Sequence, residues 1–138
     1  MRTNKPILLV EDDKVDALTV KRALTELKVT NELIIRENGE EALDFLRDQH
    51  NQKPAIILLD INMPRMNGLE FLEIAKNEPD IKKIPVIILT TSSEELDRMQ
   101  SFQLGVAGYM VKPVDYKQFV DVVRVIDIYW TLSELPEG

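Results

Sequence analysis

The sequence predicts a single α/β domain built on a parallel sheet. Five short apolar runs alternate with five stretches in which apolar residues recur at helical spacing, and this alternation is typical of strand–helix units. The central run, residues 55–59, contains no polar residue, as expected of a strand covered on both faces. We therefore expect helices on both sides of the sheet. Because such crossovers are right-handed, the carboxyl ends of all strands should meet at one edge.

The predicted strands are short, and each is followed by a polar residue. They cover residues 7–10, 33–36, 55–59, 86–89 and 106–111. Apolar residues at helical spacing follow each of them, over residues 14–28, 42–46, 69–75, 93–104 and 115–130. Ser93, which precedes two glutamates, is the predicted N-cap of the fourth helix, and Gly105 its end. Asp115 should open the last helix.

The composition suits one globular domain. The chain has 138 residues, 44% of them hydrophobic and 30% charged. We expect the domain to span residues 1–138, with a core over about residues 5–131 and a loose tail from Glu134 to Gly138. The absence of cysteine excludes disulfides and thiol chemistry and fits a reducing compartment. No stretch fits a signal peptide or a membrane span, so we expect a cytoplasmic protein.

The charge balance argues against direct binding of nucleic acid. Seventeen basic residues against 24 acidic ones give a net charge of −7, and the basic residues form no stripe. Neutralisation of phosphates by basic side chains supplies most of the affinity for DNA and RNA, so no DNA contact is expected. The acidic excess serves solubility, or it gathers carboxylates at one site where they hold a divalent cation.

Polar side chains follow four of the five predicted strands at the point where each strand ends. Glu11 and Asp12 come after the first strand, Asp60 after the third, Thr90 after the fourth and Lys112 after the fifth. Open α/β sheets bind their ligands at the carboxyl ends of the strands, so these side chains should lie together. The sequence therefore predicts a polar site at this edge.

Three carboxylates in one place repel one another, and a hard divalent cation with oxygen ligands relieves the repulsion. Mg²⁺ suits a site with few fixed ligands, because it keeps several of its waters. We assign Asp12 and Asp60 as direct ligands, Glu11 as a ligand through water and the backbone carbonyl of Asn62 as the last protein ligand.

Asp60 is the predicted nucleophile of the site. An aspartate held beside Mg²⁺ can accept a phosphoryl group, with the cation orienting the oxygens. Lys112 would add a second positive charge, and Thr90 a hydroxyl donor to a phosphoryl oxygen. Taken alone, Asp60 could be a turn cap and Lys112 a solvated lysine, and it is their common position that favours function.

Four motifs, VEDD, LLDINMPRMNG, ILTTS and GYMVKPV, resemble those of the receiver domain of two-component response regulators. The resemblance covers nearly the whole chain in order and spacing. It implies a flavodoxin-like (βα)5 fold with strand order 2-1-3-4-5. It also implies that a sensor histidine kinase transfers a phosphoryl group from its phosphohistidine to Asp60.

The resemblance assigns further roles. Glu11 and Asp12 form the acid pair, Thr90 is the switch hydroxyl and Tyr109 the switch aromatic, whereas Tyr109 alone would suggest a half-buried core residue. Phosphorylation should remodel the face made by the fourth helix, the fifth strand and the last helix. The Lys112–Pro113 bond is expected to be cis. No enzyme activity is implied beyond self-catalysed phosphotransfer and autodephosphorylation.

A narrower resemblance concerns residues 81–92 and the C-terminal region. These stretches are similar to single-domain regulators that serve phytochrome-type kinases, which implies such a kinase as partner. It also implies a homodimer formed through the C-terminal helix region. The aromatic cluster Ile128-Tyr129-Trp130 could contribute to that interface or cap the core.

The same residues argue against two other functions. A haloacid-dehalogenase-like phosphatase needs a second acid two residues after the nucleophile, and Asn62 cannot serve. A flavodoxin-like cofactor carrier must cradle a phosphate in its first loop, where Glu11, Asp12 and Asp13 would repel it. A phosphate relay or sink, and a receiver-like binding module that works without phosphorylation, remain open.

Overall fold

The computed structural model describes residues 4–132 and confirms the predicted architecture. Five parallel strands form one sheet in the order β2-β1-β3-β4-β5, and a helix follows each strand. The elements are β1 Ile7–Val10, α1 Lys14–Glu26, β2 Leu33–Arg36, α2 Gly39–Arg47, β3 Ile56–Leu59, α3 Gly68–Lys76, β4 Val86–Thr90, α4 Glu95–Gln103, β5 Gly108–Val111 and α5 Tyr116–Leu132. Within residues 4–132, no helix is both long and apolar enough to cross a membrane.

The three central strands are apolar except for Thr90 at the end of β4, because both of their faces are covered. Alternate residues point to opposite sides of the sheet. One set packs with α2 and α3, and the other set packs with α1 and α5. Every residue of β1, β3 and β4 is buried. The result is a doubly covered sheet whose loops at the carboxyl edge remain free to build a site.

The aromatic cluster near the C-terminal end splits between the core and the surface. Trp130 is buried, and its Nε1 donates to the carbonyl of Ala55 at 3.4 Å. Ile128 and Tyr129 are about half exposed, at 48% and 49%. Trp130 therefore belongs to the core, and only its two neighbours are available to another molecule. The expected tail, from Glu134 to Gly138, lies outside the residues that the structure describes.

Two expectations about local structure are wrong. The N-cap of α4 is Glu94 rather than Ser93, and its side chain makes no capping bond. The hydroxyl of Ser92, two residues earlier, donates to Asp97 Oδ2 at 2.7 Å and accepts from the N–H of Glu94 at 3.4 Å. The Lys112–Pro113 bond is trans, since the chain has no cis peptide bond between residues 4 and 132. The trans isomer is the lower-energy form of an X–Pro bond unless its surroundings select the other.

Two ends of helices follow the sequence as predicted. Gly105 follows α4 with φ +89°, the left-handed conformation that glycine adopts without strain, and its N–H donates to the carbonyl of Phe102. Asp115 precedes α5, and its Oδ2 accepts from the N–H of Gln118 at 3.3 Å.

Candidate functional site

The sheet ladder continues one residue beyond three of the strands and so fixes the backbone of three predicted site residues. Glu11 N–H donates to the carbonyl of Arg36, Asp60 N–H to that of Val10, and Lys112 N–H to that of Thr90. These bonds are 2.9, 3.1 and 2.7 Å long. The side chains that follow the strands are therefore presented from a rigid edge, as the parallel topology predicts.

The structure brings the three predicted carboxylates together. One oxygen from each of Glu11, Asp12 and Asp60 lies within 4.8 Å of the other two. Glu11 and Asp60 are buried, and Asp12 is partly exposed. Asn62, whose carbonyl is the fourth predicted ligand, is exposed two residues after Asp60, and its role as a ligand stays a prediction.

A divalent cation fits this cluster. Oδ1 of Asp60 is buried and lacks any hydrogen-bond partner, the only such side-chain atom found in residues 4–132. A buried carboxylate oxygen without a partner is costly, and a hard cation is the natural partner for an oxygen placed beside two more carboxylates. Glu11 differs, because its Oε2 accepts from the N–H of Asp13 at 3.3 Å and its Oε1 accepts from Lys112.

Lys112 contacts the carboxylate cluster through Glu11, and only 5% of its side chain is exposed. Its Nζ donates to Glu11 Oε1 and, at 3.0 Å, to Asp16 Oδ2. The contact with Asp16 was missed from the sequence. An acid four residues after Asp12, on a helix that begins at this edge, was the signal that could have revealed it.

The charges in the site shift the pKa values of Glu11 and Lys112. Burial raises the pKa of Glu11 from 4.5 to about 7; the Lys112 ammonium works against this shift, and the negative charge of Asp60 adds to it. Burial disfavours the charged form of Lys112, but its bonds with Glu11 and Asp16 and the charges of Glu11 and Asp60 raise its pKa above the ordinary value. Lys112 therefore remains an ammonium.

Gly68 allows α3 to begin directly against the backbone of Asp60. A Cβ at this position would lie 2.3 Å from the carbonyl oxygen of Asp60 and 2.8 Å from Cα of Ile61. The N–H of Gly68 donates to the carbonyl of Ile61 at 2.9 Å. Asn67 and Glu70 form a capping box at the start of α3. The start of α3 therefore packs directly against the end of β3, and the loop after Asp60 is held between them.

The predicted switch residues are connected through one loop residue. Thr90 is fully buried at the end of β4, and its Oγ1 accepts from the N–H of Ser92 at 3.3 Å. Tyr109 in β5 donates its hydroxyl to the carbonyl of Ser92 at 2.9 Å. Burial raises the pKa of Tyr109, so the phenol keeps the proton it donates. Ser92 therefore contacts both residues, and their roles as a switch stay a prediction.

Comparison with protein families decides the class of the chain. The response regulator receiver domain matches residues 7–124. The chain belongs to this family.

Several similar proteins have nearly the same length and the same fold. Response regulator Rcp1 of Synechocystis sp. is 40% identical over 130 residues, which are 91% of this chain and 88% of Rcp1. The crystal structure of the phosphorylated cyanobacterial phytochrome response regulator RcpA superposes with a TM-score of 0.90 at 35% identity, covering 98% of this chain and all of RcpA. The Mn²⁺-bound form of Rcp1 gives a TM-score of 0.88 at 39% identity, covering 96% and 99%. Receivers of phytochrome-associated regulators are thus among its relatives.

Proposed function

We propose that this receiver accepts a phosphoryl group on Asp60 from the phosphohistidine of a sensor histidine kinase, in a reaction that depends on Mg²⁺. The observation that carries the proposal is Oδ1 of Asp60, a buried oxygen without a partner, in a cluster of three carboxylates beside an ammonium. A structural aspartate would have its oxygens satisfied by its own fold. The site is instead incomplete in the way that a metal and a phosphoryl group would complete it.

Each residue of the site has a separate role in the proposed transfer. One oxygen of Asp60 forms the new bond to phosphorus while the phosphorus–nitrogen bond of the donor breaks, and the imidazole nitrogen leaves with that electron pair. Asp12 and Asp60 would hold Mg²⁺, with Glu11 acting through a water and Asn62 through its carbonyl. The bound cation would supply positive charge to the phosphoryl oxygens. Lys112 provides a second positive charge, and Thr90 a hydroxyl donor.

The signal then passes through the β4–α4 loop. A phosphoryl group adds about two negative charges and three acceptor oxygens, and the Thr90 hydroxyl moves toward one of them. Because Ser92 connects Thr90 to Tyr109, this movement changes the position of Tyr109 and of the α4–β5–α5 face. The mechanism is a shift between two states that a local charge biases.

The partner is proposed to be a phytochrome-type histidine kinase, in the cytoplasm where such a kinase would meet ATP. Support comes from the relatives, since RcpA is described as a cyanobacterial phytochrome response regulator. We further propose a homodimer through α4 and α5. The apolar residues Leu96, Met99 and Phe102 on α4 are 52–62% exposed, and Ile128 and Tyr129 on α5 are about half exposed.

Labelling with acetyl phosphate tests the central proposal. The wild-type protein should gain one base-labile, hydroxylamine-sensitive phosphoryl group only when Mg²⁺ is present, and Asp60→Asn should gain none. Asp44→Asn, an exposed acid on α2, is the matched control and should label normally. Labelling of Asp60→Asn at the wild-type rate would contradict the assignment of the nucleophile. Failure of wild-type protein to label under any condition would favour the phosphorylation-independent module.

Phosphotransfer from a kinase tests the partner. A phytochrome-type kinase, first autophosphorylated with labelled ATP, should transfer its label to the wild-type receiver within seconds to minutes and to Asp60→Asn not at all. A histidine phosphotransfer domain added afterwards distinguishes a terminal regulator from a relay. If label moves on to that domain faster than it is hydrolysed, the protein is a relay rather than an output regulator.

A further inference from the structure

The contact between Lys112 and Asp16 has no role in the transfer chemistry set out above. Asp16 is the third residue of α1, one helical turn beyond the acid pair Glu11 and Asp12. Its Oδ2 accepts from Lys112 Nζ at 3.0 Å. Lys112 also donates to Glu11, so both of its bonds hold the ammonium on the side of β1 and α1.

The position of the Lys112 ammonium is decided by competition among carboxylates. Lys112 is 5% exposed, and Asp60, although close enough to raise the pKa of Lys112, makes no hydrogen bond to it. An ammonium taken out of water is attracted strongly by every carboxylate within reach. Asp16 is 38% exposed, so it attracts the ammonium less strongly than a buried carboxylate would. Its attraction nevertheless draws the ammonium toward α1.

The arrangement at the start of α1 makes Asp16 a fixed partner rather than a chance neighbour. The N–H of Asp16 donates to Oδ1 of Asp13, the N-cap of the helix, at 3.0 Å. The N–H of Asp13 in turn donates to Oε2 of Glu11. The carboxylate of Glu11 and the backbone of Asp16 are therefore tied to one short capping turn, which places the Asp16 side chain within reach of Lys112.

We propose that Asp16 is a positioning residue that holds the Lys112 ammonium on the α1 side of the site until a phosphoryl group on Asp60 competes for it. The proposal rests on the proposed function. In the unphosphorylated protein, Asp16 keeps the ammonium away from Asp60, whose oxygen stays open to a cation and to the donor. On phosphorylation, Lys112 exchanges its bond with Asp16 for one with a phosphoryl oxygen.

This exchange predicts opposite effects of Asp16→Asn on two binding equilibria. Beryllofluoride, which forms a phosphoryl-like group on aspartate, should bind more tightly at saturating Mg²⁺, because Asp16 no longer competes for Lys112. Mg²⁺ alone should bind more weakly, because Lys112 moves toward Asp60. Each change should be about two- to fivefold, the size expected for a partly exposed ion pair. Both dissociation constants are measured by titration with amide NMR or calorimetry.

Asp13→Asn is the matched control. It removes one negative charge at the same end of α1, it touches no atom of Lys112, and asparagine still caps the helix. Asp16→Glu keeps the charge and should restore both constants toward wild type. If Asp16→Asn and Asp13→Asn change the two constants equally, Asp16 acts only through its charge and the positioning role is overturned.

The same titrations separate this proposal from the proposed function. If the wild-type protein binds beryllofluoride with Mg²⁺ and Asp16→Asn behaves like wild type, only the role of Asp16 is refuted. If the wild-type protein fails to bind beryllofluoride at all, the phosphoacceptor role of Asp60 fails, and the role of Asp16 falls with it.

Discussion

Helices α3 and α4 follow neighbouring strands of the sheet, but they are attached to it very differently. The start of α3 has a capping box, and this helix buries Gly68, Phe71, Leu72 and Ala75. The start of α4 has no side-chain cap on its N-cap residue, and this helix buries only Ser101. Helix α3 packs against the backbone of Asp60, while α4 follows the loop that carries Ser92.

The difference teaches where this receiver keeps its rigidity. Local stability varies across a fold, and elements with few buried contacts move at low cost. Asp60, the proposed nucleophile, is supported by the firmly packed helix α3, so its geometry should change little. The loosely packed helix α4 should shift more easily if Thr90 and Tyr109 rearrange as proposed. Under the proposed function, the rigid and the mobile parts of the receiver are thus adjacent strand–helix units.

The largest expected effect comes from breaking the close packing of α3. Gly68→Ala would place a Cβ 2.3 Å from the carbonyl oxygen of Asp60, and backbone on both sides must then move. We expect a loss of about 3 kcal/mol in the free energy of unfolding, measured by urea denaturation with circular dichroism. Gly108→Ala is the control, because its Cβ would meet Ile87 at an ordinary 3.8 Å. Equal losses in both variants would show that α3 is not tightly packed here.

Burial of the Glu11 carboxylate makes the stability of the protein depend on pH. In the metal-free protein the pKa of Glu11 is about 7, against 4.5 for the free side chain, so the folded state binds more protons than the unfolded state between these values. The contribution of protonated Glu11 to the free energy of unfolding is therefore full below pH 4.5. It is lost as pH rises through 7, by up to about 3 kcal/mol.

Glu11→Gln isolates this dependence. The difference in unfolding free energy between wild type and Glu11→Gln should change with pH over that window, and saturating Mg²⁺ should reduce the change because the cation favours the ionised carboxylate. A difference that stays constant from pH 4.5 to 7.5 without metal would refute the raised pKa of Glu11.

A smaller effect is expected from removing the N-cap side chains of α3 and α4. Asn67→Ala removes the side chain that accepts from the N–H of Glu70 at 2.9 Å, so α3 should lose about 1 kcal/mol. Glu94→Ala at the N-cap of α4 removes no such bond and should change stability by less than about 0.5 kcal/mol. Thermal and urea unfolding of the two variants provide the measurement. A larger loss from Glu94→Ala would reverse the contrast.

The smallest effect on stability is expected on the exposed face of α4. Phe102→Ser should change the free energy of unfolding of the monomer by less than about 0.5 kcal/mol, because the side chain is 52% exposed. The same variant should weaken the proposed homodimer, measured by sedimentation equilibrium. Gln103→Ser, on the same helix turn, is the control. A wild-type protein that is monomeric at all concentrations would remove the interface from the proposal.

The sheet and the residues after its strands could be predicted because their signals are local. An unbroken apolar run predicts a buried strand, and the parallel topology then fixes which residues share an edge. Glu11, Asp12 and Asp60 meet for that reason alone. The capping pattern at Asn67 and Glu70 is equally local, since its two partners are three residues apart.

The remaining features depend on partners that are distant in sequence. The contact of Asp16 with Lys112 joins residues 96 positions apart, and an acid in the first turn of a helix is common for reasons of the helix dipole alone. The periodic spacing of Leu96, Met99 and Phe102 predicts a helix but cannot tell whether its own sheet covers that face. The trans state of the Lys112–Pro113 bond likewise depends on tertiary surroundings.

Trp130 is placed to report on unfolding rather than on events at the site. This single tryptophan contacts Ala55, just before β3, whereas Asp60 follows the other end of that strand. Its fluorescence should respond to loss of the whole fold but stay nearly silent when the site is filled. Unfolding and activation can therefore be followed separately in one sample, by indole emission and by a probe attached near Tyr109.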